Sequence, residues 1–186
     1  MSWTSALTAA NQLTLLRMLL VTPFVLTILY GMYGWALTTF LVAALTDLLD
    51  GLIARRTGQQ TTLGAWLDPV ADKLLIFSMV VVLTLPSEAP NRLPLWLTIL
   101  VISRDVAIVA TVAVINLAVG RRTFRPSPLG KLATGVFLAT GVAILVANYI
   151  GRPMAIVQVF IYASLVITLS SAVDYIFRVT KIIREH

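Results

Sequence analysis

No cysteine occurs in the chain, and its single histidine is the last residue, His186. Those absences exclude a disulfide framework, a thiolate metal site and a cysteine nucleophile. Charge is scarce as well: eight Asp and Glu stand against fourteen Lys and Arg, and charged residues make up only 12% of the chain. A soluble domain carries about 25% charged residues. Here 59% of the 186 residues are apolar, with a mean hydropathy of +0.93. One small globule cannot bury that much apolar surface, which excludes a water-soluble enzyme. Ten Gly and eight Pro are ordinary numbers and argue against disorder or a fibrous repeat. The excess of six positive charges reads as anchoring to anionic lipid and placing an anionic substrate, and no nucleic-acid partner is expected.

A helix needs roughly 20 mostly apolar residues to cross the hydrocarbon layer. Six stretches qualify, at about 12–31, 34–54, 65–86, 94–119, 128–149 and 153–177. The expected fold is therefore all-α, an integral membrane bundle of six transmembrane helices forming a single domain over 1–186. Ser2 to Ala10, with Trp3, could add a short interfacial helix. The amino end has no basic flank and no small-residue cleavage site, so a cleaved leader is not expected. Arg55, Arg56, Arg121, Arg122, Arg125, Arg178, Lys181 and Arg184 fall on one side of the predicted bundle, and only Arg92 and Arg152 on the other. This asymmetry puts both termini in the cytoplasm. The outer links, Gly31–Gly34, Pro86–Pro94 and Ile150–Pro153, are short and built from turn residues.

Ionisable groups inside spans are costly and point to function. Four of the eight acids, Asp47, Asp50, Asp68 and Asp72, lie within 26 residues, at the predicted cytoplasmic ends of spans two and three. The i, i+3 and i, i+4 spacings put each pair on one helix face, and the turn between spans brings the pairs together. Four facing carboxylates repel unless cations lie between them or some are protonated. A donor set of oxygens alone suits Mg²⁺ or Mn²⁺, and two such ions can clamp a phosphoryl transfer. Gly51 and Ala54 share the face of Asp47 and Asp50 without adding bulk, so a nucleotide can approach the backbone there. Arg55 at its edge can counter phosphate charge. Any one of these acids could be a solvated helix-end carboxylate; the full set at fixed spacing argues against that for all four.

The string Asp47-x2-Asp50-Gly51-x2-Ala54-Arg55-x8-Gly64-x3-Asp68-x3-Asp72 resembles, with no departure, the signature of the CDP-alcohol phosphotransferases. The resemblance implies a six-span enzyme that transfers a phosphatidyl group from CDP-diacylglycerol to an alcohol and releases CMP. It implies that Asp47, Asp50 and Asp68 hold two divalent ions on the donor diphosphate. Asp72 is then the general base, with some metal contact. Gly51, Ala54, Arg55 and Gly64 belong to the donor site, as do Asn11 and Thr14 in the opening Asn11-x-Leu13-Thr14-x2-Arg17. The family forms homodimers, and its active site faces the cytoplasm, here expected at a bacterial inner membrane.

The acceptor is open at this point. The opening of span one, and Gly130-Lys131-x2-Thr134 at the head of span five, resemble phosphatidylglycerophosphate synthases, whose acceptor is glycerol 3-phosphate. Arg104, Lys131 and Arg121 are the expected acceptor ligands, with the rest of the Arg121–Arg125 link nearby. Ser103-Arg104-Asp105 departs toward the cardiolipin synthases, which use phosphatidylglycerol, and phosphatidylinositol-phosphate synthesis is a third option. A small ion- or proton-coupled transporter is the alternative of another class. It is disfavoured because the acids gather at one membrane face and no inverted repeat is visible. Arg104 and Asp105 point about 100° apart on a helix and are not expected to pair with each other. Lys73 is expected to snorkel to headgroups, or else to hold the acceptor. Asp174 is expected to make a helix-end or interhelical contact. Gly135, Ala139, Ala143 and Ala147, every fourth residue, form a small-residue stripe suited to a dimer face or to internal packing.

Overall fold

The computed structural model describes the backbone at residues 9–57, 62–85, 88–118 and 127–184, and side chains at 15–46, 73–85, 88–111, 114, 127–178 and 180. These residues form six helices and no strand: α1 (Ala9–Leu29), α2 (Tyr33–Thr57), α3 (Thr62–Thr84), α4 (Leu95–Ala118), α5 (Pro128–Ile150) and α6 (Ala155–Arg184). Each coincides with one apolar stretch of the sequence to within a few residues at most ends; α6 runs on to Arg184. The interfacial helix expected over Ser2 to Ala10 lies almost wholly outside the described residues.

Local chemistry sets the ends. Gly31 and Gly151 take φ of 69° and 75°, the left-handed conformation that lets a helix stop and the chain reverse. Ser127 caps α5, its Oγ accepting from the Gly130 N–H at 2.9 Å, and Pro128 follows where a missing N–H costs nothing. Within the helices, Thr38, Thr39, Thr140 and Thr168 donate their hydroxyls to the carbonyls four residues back. That internal bond lets a polar residue sit in an apolar bundle without an unpaired donor.

Helix contacts run α1–α2–α5–α6–α4–α3 and return to α1, closing a ring, with α3 also touching α5 across it. The core is mostly apolar: Phe24 and Phe40 are buried with ring centroids 5.4 Å apart, and Met79, Leu97, Ile144 and Ile161 are buried with them. At the crossing of α3 and α5, a Cβ on Gly141 would lie 2.1 Å from Met79 Sδ, so the approach depends on glycine there. The small-residue stripe of α5 is not what makes this contact. Ala147 is fully buried, Ala139 and Ala143 are half-buried, and open space surrounds Gly135.

At the end opposite the α2–α3 link, two buried asparagines tie the α3–α4 connection to the α5–α6 turn. Asn148 Oδ1 accepts from the Asn91 N–H at 2.9 Å and from its Nδ2 at 3.1 Å, while Asn148 Nδ2 donates to the Asn91 carbonyl at 3.0 Å. Asn91 in turn donates to the Arg152 carbonyl at 2.7 Å and accepts from the Met154 N–H at 3.1 Å. Over their described residues, α5 and the Ala155–Arg178 part of α6 are long and apolar enough to cross a membrane. The apolar described stretches of the first three helices, Leu15–Leu29, Tyr33–Thr46 and Lys73–Val82, are shorter; the second stops just before Asp47 and the third starts just after Asp72.

Candidate active site

The acid-bearing segments are helical. Asp47, Asp50, Gly51, Ala54 and Arg55 lie on the last half of α2, and Gly64, Asp68 and Asp72 on the first half of α3. The backbone therefore supports the i, i+3 and i, i+4 faces expected of the two pairs. Their side chains lie outside the described residues, as do those of Asn11 and Thr14 on α1 and the whole of Arg121. The link that joins α2 to α3, 58–61, is also outside them. In the ring α1 stands beside both α2 and α3. Among the described residues no cluster of three metal-ligating side chains occurs.

On α1, Arg17 is 1% exposed, the largest fully buried side chain among the described residues. It is eight residues from the start of α1, and Asp72 is ten from the start of α3, so both stand about 12–15 Å in from the same end of the bundle. Arg17 thus lies at the level of Asp72, on a helix that touches both acid-bearing helices. In the sequence Arg17 closes the Asn11-x-Leu13-Thr14-x2-Arg17 opening and is the one basic residue of the first span.

The described part of the site is built around Asp105. Its Oδ1 accepts from Arg104 Nη1 at 2.6 Å, and its Oδ2 pairs with Lys73 Nζ of α3. The expectation that Arg104 and Asp105 do not pair is therefore wrong. Rotation by 100° separates their Cβ atoms, but the Arg104 side chain is long enough to fold across to the neighbouring carboxylate. Lys73 does not simply run to headgroups either, since Asp105 holds it across the α3–α4 contact. Arg104 Nη2 donates to Ser171 Oγ of α6 at 2.5 Å, and Arg104 Nε is buried with no hydrogen-bond partner. Asp174 pairs with Arg178 one turn on, Nε to Oδ2 at 2.8 Å, a contact within the last turns of α6.

Gly130 opens room for this arrangement. A Cβ there would lie 3.2 Å from Ser127 Oγ and 3.4 Å from Arg104 Nη2. The start of α5 thus meets α4 at Arg104, 14 residues before α4 ends, and α6 at Ser171, 13 residues before that helix ends. The ends of α4 and α6 run on by about 20 Å beyond this level. The first turn of α5 is then the floor of a recess walled by α3, α4 and α6. Lys131, in that first turn, is exposed. Arg104 thus stands beside the first turn of α5 and, through Asp105 and Lys73, at the level of Asp72.

A cavity of about 230 Å³ lies between α4 and α6, lined by Arg104, Ile108, Thr111, Tyr175 and Thr180 among others. Tyr175 donates its hydroxyl to the Ile108 carbonyl at 3.1 Å along that wall. A larger cavity, about 300 Å³, sits at the far end beside Asn91, Arg92 and Met154, away from every acid of the motif. Its size does not make it the reaction site: it offers no carboxylate and no cation but Arg92.

Carboxylates on α2 and α3 offer oxygen donors to hard divalent ions, and Arg104 and Lys73 beside them offer cations to an anion. Over 181 residues, 92% of this chain and 81% of the relative, the sequence is 36% identical to the probable phosphatidylglycerophosphate synthase of Mycobacterium tuberculosis. It is 43% identical over 107 residues to the CDP-diacylglycerol–glycerol-3-phosphate 3-phosphatidyltransferase of Pseudomonas fluorescens, covering 54% of this chain and 52% of that one. A further match, 33% over 190 residues and covering 91% of this chain and 57% of the relative, is the probable cardiolipin synthase (CMP-forming) of Drosophila melanogaster. Residues 7–170 match the CDP-alcohol phosphatidyltransferase family, a span that takes in the acid pairs, the Lys73–Asp105–Arg104 cluster and the floor of α5, and the chain belongs to that family.

Proposed function

We propose that this protein is an integral membrane phosphatidyltransferase that transfers the phosphatidyl group of CDP-diacylglycerol to glycerol 3-phosphate and releases CMP. The observation that carries the acceptor is the similarity to a phosphatidylglycerophosphate synthase over 92% of the chain. The cluster around Asp105 supports it, since it holds the cations Arg104 and Lys73 beside the position of Asp72, where an anionic alcohol would approach. Cardiolipin synthesis, with phosphatidylglycerol as acceptor, is the second reading. It is favoured by Asp105 after Arg104 and by the similarity to cardiolipin synthases.

All six helices cross the membrane in this reading. At 21 to 30 residues each spans about 32–45 Å, enough for a hydrocarbon core of about 30 Å. The α2–α3 end faces the cytoplasm, in keeping with the eight basic residues on that side, and the membrane is a bacterial inner membrane. The whole chain, 1–186, acts as one domain, and two copies associate as a homodimer.

Asp47, Asp50 and Asp68, with Asp72, would hold two Mg²⁺ or Mn²⁺ ions, which neutralise the diphosphate and stabilise the leaving CMP. The protein's own groups do the rest. Gly51, Ala54 and Gly64 leave room for the cytidine, and Arg55, Asn11 and Thr14 hold the polar part of the donor. Arg104, Lys131 and Arg121 bind the acceptor phosphate. As the acceptor oxygen bonds to the phosphatidyl phosphorus, Asp72 takes its proton and the bond from that phosphorus to the CMP oxygen breaks.

The test is CMP release by the purified protein with CDP-diacylglycerol and Mg²⁺, adding glycerol 3-phosphate or phosphatidylglycerol separately. Release that requires glycerol 3-phosphate, stops with a chelator and returns with Mg²⁺ or Mn²⁺ is the expected result. Release only with phosphatidylglycerol replaces the acceptor by the second reading. Release that survives chelation removes the metals from the mechanism.

A further inference from the structure

Asp105 is a carboxylate of the recess that the transfer does not use, and the fold gives it two cations at once. Arg104 reaches it from the same helix and Lys73 from α3, one residue beyond Asp72. The side chains of Asp105 and Arg104 are 25% and 12% exposed, and that of Lys73 52%. Arg104 is also held from a third helix by Ser171, against the glycine at the start of α5. One carboxylate therefore sets the separation of two cations on different helices, and it does so at the level of the base. With Asp105 neutralised, Lys73 and Arg104 would repel each other across a partly desolvated site. Arg104 would then keep only the Ser171 contact.

We propose that Asp105 is a positioning residue for the acceptor: it fixes Arg104 and Lys73 as a preset pair of cations that receives the anionic group of the acceptor alcohol beside Asp72. Arg104 and Lys73 keep N–H donors beyond the bonds to Asp105 and Ser171, because a guanidinium carries five and an ammonium three. Asp105 acts through its two partners and touches neither donor nor reacting atoms. This inference rests on the function proposed above.

The test compares the unsubstituted protein with Asp105→Asn, Asp105→Glu and Ser171→Ala. Acceptor KM, donor KM and kcat are read from CMP release, and glycerol 3-phosphate binding is read by calorimetry. Asp105→Asn is expected to raise the acceptor KM and weaken acceptor binding by about tenfold or more, while donor KM stays within about twofold. Asp105→Glu keeps the charge and recovers most of that loss. Ser171→Ala, which removes one neutral tether, is expected to shift the acceptor KM about threefold in the same direction and leaves the charges in place should Asp105→Asn fail to fold. Equal changes in both KM values, a loss confined to thermal stability, or tighter acceptor binding without the carboxylate overturns the assignment. No CMP release by the unsubstituted protein with either acceptor sinks the functional reading instead. Glycerol 3-phosphate binding that Asp105→Asn leaves unchanged sinks this inference whatever the turnover.

Discussion

The asparagine clasp at the far end of the bundle gives a stability prediction that can be worked from its bonds. Asn148→Ala removes three hydrogen bonds, two accepted by Oδ1 at 2.9 and 3.1 Å and one donated by Nδ2 at 3.0 Å. The Asn91 side chain keeps its contacts to the Arg152 carbonyl and the Met154 N–H. The groups left without a partner are the Asn91 main-chain N–H and C=O, in a residue only 7% exposed. At roughly 1–3 kcal/mol for each orphaned group, the loss is about 3 kcal/mol, or a fall of about 6–12 °C in melting temperature for a chain of this size. Thermal unfolding in detergent, followed by circular dichroism, reads it. Asn91→Ala should cost a similar amount through the other half of the network, and the double variant less than the sum, because the two residues share bonds. CMP release per folded molecule should not change, since the clasp lies at the opposite end from the acids. A shift below about 2 °C would mean that water or other groups satisfy Asn91 once Asn148 is gone, and the clasp is then not what ties the two connections.

Two further outcomes concern the site. Asp72→Asn should lower kcat for CMP release by about 10²–10⁴-fold while donor binding, measured with a non-reacting CDP-lipid, is largely kept. Near-normal turnover in that variant refutes the general-base role. Gly130→Ala puts a Cβ 3.2 Å from Ser127 Oγ and 3.4 Å from Arg104 Nη2. The tight contact is with the Ser127 Oγ that caps α5, so the change should loosen that cap and cost about 1 kcal/mol in thermal unfolding. The guanidinium should stay in place and acceptor KM hold within about twofold; a several-fold rise in acceptor KM would refute that reading.

The helices were legible in the sequence because a span needs a continuous apolar stretch of fixed length, and each such stretch here ends at glycine, proline or a charged link. The helical placement of Asp47, Asp50, Asp68 and Asp72 was legible too, and acids are so costly in apolar helices that four at helical spacing stand out by themselves. Lys73 and Asp105 were read less well. Their pairing spans 32 positions of the chain, and neither residue's own helix shows it. The Arg104–Asp105 contact was misjudged because helix geometry fixes where a side chain starts and not where a long one ends.

What the sequence determined by itself is the set of helices, their ends and the identity of the charged groups, since local periodicity, caps and the cost of burying charge act through near neighbours in the chain. Tertiary structure alone decided which helices touch. It placed α1 beside both acid-bearing helices, brought the start of α5 down against Arg104, and joined α3 to α4 through one carboxylate. Those outcomes follow from how six apolar surfaces share contact around a glycine at the α3–α5 crossing. Packing of that kind depends on the shape of every partner at once, and no single stretch of chain carries it.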